Sequence, residues 1–544
     1  MALGSPSLHA LALGCALLCF ACSDKPGPAE PPPPPVEPWD GTYTPLVEPT
    51  DWVDPGPYAQ CSFTPTRGTA VDCDDPSLFD LSKCDLAALD ALESHGIHGV
   101  SMRHDSGFPD YVGIRIPQDG GTGTLDGNPL TRQQVTGSFH ISTQYTQRGV
   151  VRQTVLRGCG VSSQGLVTGC FARCANGKAS TRGTFEAARM TWGRGESESS
   201  GGLRLISETD VPQNGTHADV YVAHKHAYVV SINLFAQTEG GLAVFDVSDP
   251  SHPVLKKSIT LPGDSYWNAV WAKDHTLYVA SKSSGVIVFD ISNPADPLFV
   301  RSVPGGEPID VHTLFVDGDR LYAVSPGPAP TGETLVFDIS TPLDPTLLNR
   351  IVVSDTTSYL PSAHDSFAYQ DRLYINHFSS GYVVFDVKDA LNPRELGTYT
   401  FQTENSSSMS HAGAVGTFAG RTIAFEGGEG VGTHLRVLDV TDPTNIPLIG
   451  TYKLRYHASI HNMVLKDKRL YITYYQEGLR VLDVSIPPKP REIAHFNTFR
   501  ESDPGRSDWM TDGAIGIRVP GDGYVYVVDT ARGLLIFNEP SLPT

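Results

Sequence analysis

One segment recurs seven times in the C-terminal part of this 544-residue chain, and that recurrence constrains the fold more than any other feature. It reads GLAVFDVSDP from Gly241, GVIVFDISNP from Gly285, TLVFDISTP from Thr334 and GYVVFDVKDA from Gly381. The remaining copies are HLRVLDVTDP from His434, GLRVLDVSIP from Gly478 and GLLIFNEP from Gly533. The same slot holds Asp246, Asp290, Asp338, Asp386, Asp439 and Asp483, with Asn538 in the last copy. Their spacings of 44, 48, 48, 53, 44 and 55 residues match the length of a four-stranded propeller blade.

Each copy carries four strand-like pieces in a fixed order. In the third they are Thr313 to Val316, Arg320 to Val324, Leu335 to Ile339 and Leu347 to Val353, with Asp317-Gly318-Asp319 as the first hairpin. The recurrent Asp opens a turn that Pro342 and Pro345 complete, and its carboxylate suits backbone N–H groups two residues on. The reading is a turn former, not a catalytic acid. The last copy stops after its third strand, whereas Gly202 to Ser207 resembles a fourth strand placed ahead of the first copy. The expectation is therefore an all-β, seven-bladed β-propeller over 201–544, closed like velcro by its N-terminal strand. Ahead of it a small, disulfide-rich, mainly-β domain is expected.

These copies resemble the LVIVD-repeat family, on the strand seen here as Leu242-Ala243-Val244-Phe245-Asp246 and its counterparts. The resemblance covers about residues 201–540. It implies an extracytoplasmic bacterial propeller, often carried behind a lipoprotein signal or another anchor, with no single activity and no catalytic residues to transfer.

Ahead of the repeats the chain changes character. Leu8 to Ala21 is an apolar run too short to span a bilayer comfortably, which reads as a signal peptide over 1–22. It ends Cys19-Phe20-Ala21-Cys22, resembling a lipobox with Cys19 where an aliphatic residue is usual; lipidation of Cys22 and simple secretion are the alternatives. Residues 23–40 include KPGPAEPPPPPVEP, an extended polyproline spacer. Residues 41–198 hold Cys61, Cys73, Cys84, Cys159, Cys170 and Cys174, and no cysteine follows. An even set in an exported protein implies three disulfides, pairing open among fifteen possibilities. Period-two segments such as Tyr111 to Ile116 and Val150 to Leu156 predict an antiparallel sheet or barrel. A helix is expected over Asp85 to Ser94, and His95, His98 and His104 are read as surface loop histidines.

Aligning the blades on the second-strand tyrosine exposes a second regularity. Tyr278, Tyr322, Tyr374 and Tyr471 stand ten residues after Asn268, His312, His364 and His461. In blade five the hairpin is two residues longer, and His411 falls in the same register, twelve residues before Ile423. Blade one has Ala218 there, flanked by His217 and Asp219, and blade seven offers Asp512 nearby. Innermost strands border the axis, so His312, His364, His411 and His461 form one level of the channel. Neutral imidazoles suit Zn, Cu or Fe. Propeller oxygenases with axial four-histidine iron are a precedent of arrangement only. A polar ligand on the same ring, or histidines that merely bond the backbone, are the alternatives. Asp310 and Asp365 are candidate partners of the ring.

Function stays open between two classes. The first is a non-enzymatic binding module at the cell envelope, as an outer-membrane lipoprotein or a secreted protein. It would engage a protein, peptide or glycan and touch the membrane only through its lipid. The alternative is a metalloenzyme of oxidoreductase or hydrolase type using the histidine ring. The formal charge of −20, from 40 Lys+Arg and 60 Asp+Glu, argues against nucleic acid as a partner. The Gly-rich run Gly427 to Gly432 lies between strands with no helix to hold a phosphate, and Trp267, Trp271, Tyr474 and Tyr475 read as blade packing.

Overall fold

A computed structural model describes residues 38–540, apart from 50–51, 91, 93, 136, 192–195, 214, 234–239, 328–331, 354–362 and 402–408. The leader, Cys22 and nearly all of the proline spacer lie outside the described residues. No helix among the described residues is long and apolar enough to cross a membrane.

Seven four-stranded antiparallel sheets form the propeller. The blades run Thr216–Ile259, Trp267–Val303, Thr313–Ile351, Ala363–Tyr399, Ser410–Tyr452, Met463–Phe496 and Ala514–Asn538. The seventh takes its outer strand, Leu205–Thr209, from ahead of the first, paired antiparallel to Gly533–Asn538. Closure is therefore the expected velcro type. Third strands such as Leu242 to Phe245 and Val286 to Phe289 are fully buried at every position, because each sheet is covered on both faces by its neighbours. Outer strands such as Val254–Ile259 face solvent and carry Lys256 and Lys257.

The recurrent Asp does what its position requires. Carboxylates of Asp246, Asp290, Asp338, Asp386, Asp439 and Asp483 accept the N–H two residues on, at 2.7–3.0 Å. Asn538 instead accepts from Arg204 N–H at 2.7 Å, tying the velcro strand to the last blade.

The cysteine domain is a closed eight-stranded barrel, Gly96–His104 to Lys178–Arg189, whose first and last strands pair antiparallel. Val100, Ile114, Ile141, Leu156, Phe171 and Phe185 fill it. The disulfides are Cys61–Cys170, Cys73–Cys174 and Cys84–Cys159, stapling the segment before the barrel onto two adjacent strands, Val150–Val161 and Val167–Ala175. Three such bridges fit an oxidising, extracytoplasmic compartment.

Three expectations change here. The helix over Asp85 to Ser94 is only a 3-10 turn, Leu86–Leu89, started by Asp85 accepting from Ala88 N–H. Leu89 enters the barrel core while Leu86 is exposed, so no continuous apolar stripe supports a longer helix. His98 and His104 lie within the first barrel strand, and His98 is buried. Finally, the stretch 41–49 belongs with the propeller: Tyr43 donates to Asp439 and Leu46 N–H to Leu448 O, both in blade five.

Barrel and propeller meet beside the sixth and seventh blades. Arg189 pairs with Glu501, which also accepts from Ile97 N–H, and Ser101 Oγ lies 2.8 Å from His457 Nε2. Asp508 accepts from Thr124 Oγ1 at 2.9 Å and Gly127 N–H at 3.0 Å. The approach is close enough that a Cβ on Gly113 would fall 1.6 Å from Asp508 O, so only glycine fits there.

Candidate functional site

The axial channel is set by what happens at the start of each innermost strand. In blades one, two, four, five and seven the register of the first strand pair skips one residue: Ala218, Asn268, His364, His411 and Ile515. A bulge leaves that residue out of the ladder and re-aims its side chain. His312 and His461 stand just ahead of their strands, Thr313–Asp317 and Met463–Lys466. Their N–H groups bond Val324 O and Thr473 O. The blade-seven residue at this level is thus Ile515; Asp512 is drawn instead to Arg506 at 2.8 Å.

The four predicted histidines do come together. Ring centroids are 4.3 Å apart for His312–His364, 4.2 Å for His364–His411 and 4.5 Å for His411–His461. Phe378 stacks on His364 at 4.3 Å, and Tyr475 ends the row 4.9 Å from His461.

Several side chains at this level reach a backbone carbonyl of the next blade. Asn268 Nδ2 donates to His312 O, Thr313 Oγ1 to His364 O, His411 Nδ1 to His461 O and His461 Nδ1 to Ile515 O, at 2.8–3.1 Å. A carbonyl can only accept, so His411 and His461 carry their proton on Nδ1 and, when neutral, a lone pair on Nε2. They are neutral: burial pulls His411 and His461 down to about 3 and His312 to about 4, and holds His364 well below the usual imidazole range. Backbone carbonyls thus orient His411 and His461. Asp365 accepts from Ser366 N–H, and burial lifts it to about 7.

A residue absent from the sequence reading joins the row. Glu429 leaves the Gly-rich end of the blade-five second strand, with its N–H on Met409 O. Its carboxylate accepts from Tyr475 Oη at 2.6 Å and stands 3.7 Å from His411 Nε2. The Gly-Gly-Glu-Gly run was the available signal, since glycines there let the chain turn inward.

Further along the channel a second band appears, also unforeseen. Tyr221, Trp271, Phe315 and Phe367, from four consecutive blades, have centroids 5.3, 4.8 and 4.5 Å apart in sequence. The Arg518 guanidinium sits 4.7 Å above Tyr221 and 4.2 Å above Trp271. Trp267 is blade packing as expected, but Trp271 lines the channel. A cavity of about 740 Å³ links the two bands, with Gly127 of the barrel and Trp509 of the 497–513 connection at its edge.

The LVIVD repeat family matches residues 214–260, 266–304 and 461–498, so blades one, two and six carry LVIVD repeats. No curated protein matches the chain. Among solved structures, it is similar to a computationally designed protein, Ika8, at 13% identity and TM-score 0.41, over 62% of this chain and all of the other. A chain of the mitotic checkpoint complex is 11% identical, TM-score 0.45, with 65% and 96% covered. The WD40 β-propeller domain of Doa1 is 10% identical, TM-score 0.44, with 63% and 98% covered.

Proposed function

We propose that this protein is a binding module of the bacterial cell envelope, held by a lipid on Cys22 and seating its ligand in the propeller channel. The observation that carries the reading is the cavity of about 740 Å³ running between the imidazole row and the aromatic band. A pocket with apolar walls and a few convergent polar groups is what small or chain-end ligands need. The faces of Trp271, Phe315 and Phe367 suit the apolar face of a sugar ring or an aromatic side chain, and Arg518 offers donors beside them. The ligand class is therefore the accessible end of a glycan or peptide.

Two measurements test this. Thermal-shift screening of defined oligosaccharides and peptides, wild type beside Trp271→Ala and Arg518→Gln, should find a class that stabilises wild type and neither variant. A screen that shifts nothing, or shifts that survive in both variants, overturns the channel as binding site. Mass spectrometry of the mature N-terminus should find a diacylglyceryl Cys22; an unmodified Ser23 or Asp24 start removes the anchor.

A second reading, a metal-dependent oxidoreductase or hydrolase, draws on one observation: neutral imidazoles beside the Glu429 carboxylate.

A further inference from the structure

The imidazole row contains an electrostatic mismatch. His411 commits its Nδ1 proton to His461 O, so its Nε2 presents a lone pair toward Glu429 Oε2, 3.7 Å away. Two electron-rich atoms face each other across that gap, and His411 Nε2 is buried with no hydrogen-bond partner. The His364 ring makes the corresponding contact one blade earlier, toward the His411 backbone. A buried nitrogen left unpaired while facing a carboxylate needs a reason. A cation between them supplies it.

One donor atom from each of His364, His411 and Glu429 lies within 4.8 Å of the other two. Tetrahedral bonds of about 2.0–2.2 Å place donors roughly 3.3–3.6 Å apart, so side-chain shifts of about 1 Å close the shell. Both histidine side chains are held from outside the site: His411 by the His461 carbonyl and His364 by the stacked Phe378 ring. Glu429 is held by Tyr475 Oη. The flanking histidines differ. His312 Nε2 faces the Asn268 amide at 3.3 Å, whereas His461 keeps a free Nε2 lone pair at the edge of the set.

We propose that His364, His411 and Glu429 hold one divalent first-row transition metal ion, of the Zn²⁺ or Fe²⁺ type, in the channel wall. Two imidazoles and one carboxylate form a borderline-hard set suited to such ions and poorly suited to Ca²⁺ or Mg²⁺. The remaining coordination positions face the cavity. This ligand set replaces a symmetric four-histidine ring, and it is independent of the organic ligand proposed for the aromatic band.

The test uses the purified full-length protein, dialysed metal-free, with Zn²⁺ titrated against a chromophoric chelator and Co²⁺ as spectroscopic probe. Wild type should bind one equivalent, with the d–d absorption of a low-coordinate Co²⁺ site. Glu429→Gln keeps the shape and an acceptor for Tyr475; it and His411→Gln should each weaken Zn²⁺ at least tenfold. His217→Gln, which alters a buried histidine bonded to Ser231 away from the channel, should bind like wild type. Should His411→Gln fail to fold, Glu429→Gln decides. Less than a tenth of an equivalent on wild type, full affinity in Glu429→Gln, or an equal loss in His217→Gln overturns the site.

Discussion

Replacing Arg506 with Ala should be among the most damaging single changes in the propeller. Its side chain is fully buried and bridges three carboxylates: Asp512 at 2.8 Å, Asp529 at 3.0 Å and Asp503 at 3.1 Å. Its guanidinium also covers the Phe499 ring at 4.7 Å. Removing one partner of a buried ionic cluster leaves uncompensated charge and costs about 3–5 kcal/mol. Unfolding entropy is about 2.1 cal/mol/K per residue, so roughly 340 propeller residues give about 0.7 kcal/mol/K and a Tm drop of about 4–7 °C. Differential scanning calorimetry at neutral pH measures it. Because Arg506 braces the connection carrying Asp508 and Trp509, barrel docking should loosen as well. A Tm within about 1 °C of wild type would refute the assignment of this cluster as the brace of the channel edge.

Asp508 gives a pH signature of opposite sign to an ordinary salt bridge. Burial at the barrel contact raises it to about 6, so the folded protein favours the neutral acid. Its contribution is full below about pH 4 and is lost as pH rises through 6, by at most about 3 kcal/mol. Asp508→Asn should therefore match wild type at pH 4, exceed it at pH 7.5 and flatten the melting profile between; an unchanged profile counts against this. Separately, replacing Cys84 and Cys159 with Ser opens a link spanning 75 residues and should cost the barrel about 2–5 kcal/mol. Since the propeller has no cysteine, its own melting transition should stay where it is, and a shared fall in both transitions would contradict that separation.

Much of the fold was legible because a blade is a short-range object. Strand order, the Asx-type turn and the missing fourth strand all follow from patterns within about 50 residues. The register of His312, His364, His411 and His461 was readable for the same reason, being counted from one repeated tyrosine. Other features depend on contacts that no spacing announces. The helix expected over Asp85 to Ser94 does not form because leucine spacing cannot say that Leu86 faces solvent while Leu89 and the half-buried Leu92 meet the barrel core. Trp271 reads as packing because period-two alternation assigns faces without knowing that a bulge at Asn268 shifts the parity of the strand.

By itself, then, the sequence determined the number of blades, their closure, the level of the histidines and the absence of cysteine from the propeller. Each is written in local repetition or in counting. Only the tertiary structure decided which cysteines pair, that the first domain is a barrel braced against blades six and seven, and that Glu429 stands beside His411. It also decided that Tyr221, Trp271, Phe315 and Phe367 form a band under Arg518. The physical reason is common to all four. These groups meet across blades or domains, where proximity comes from ring closure and bulge geometry, and chain separation carries no information about it.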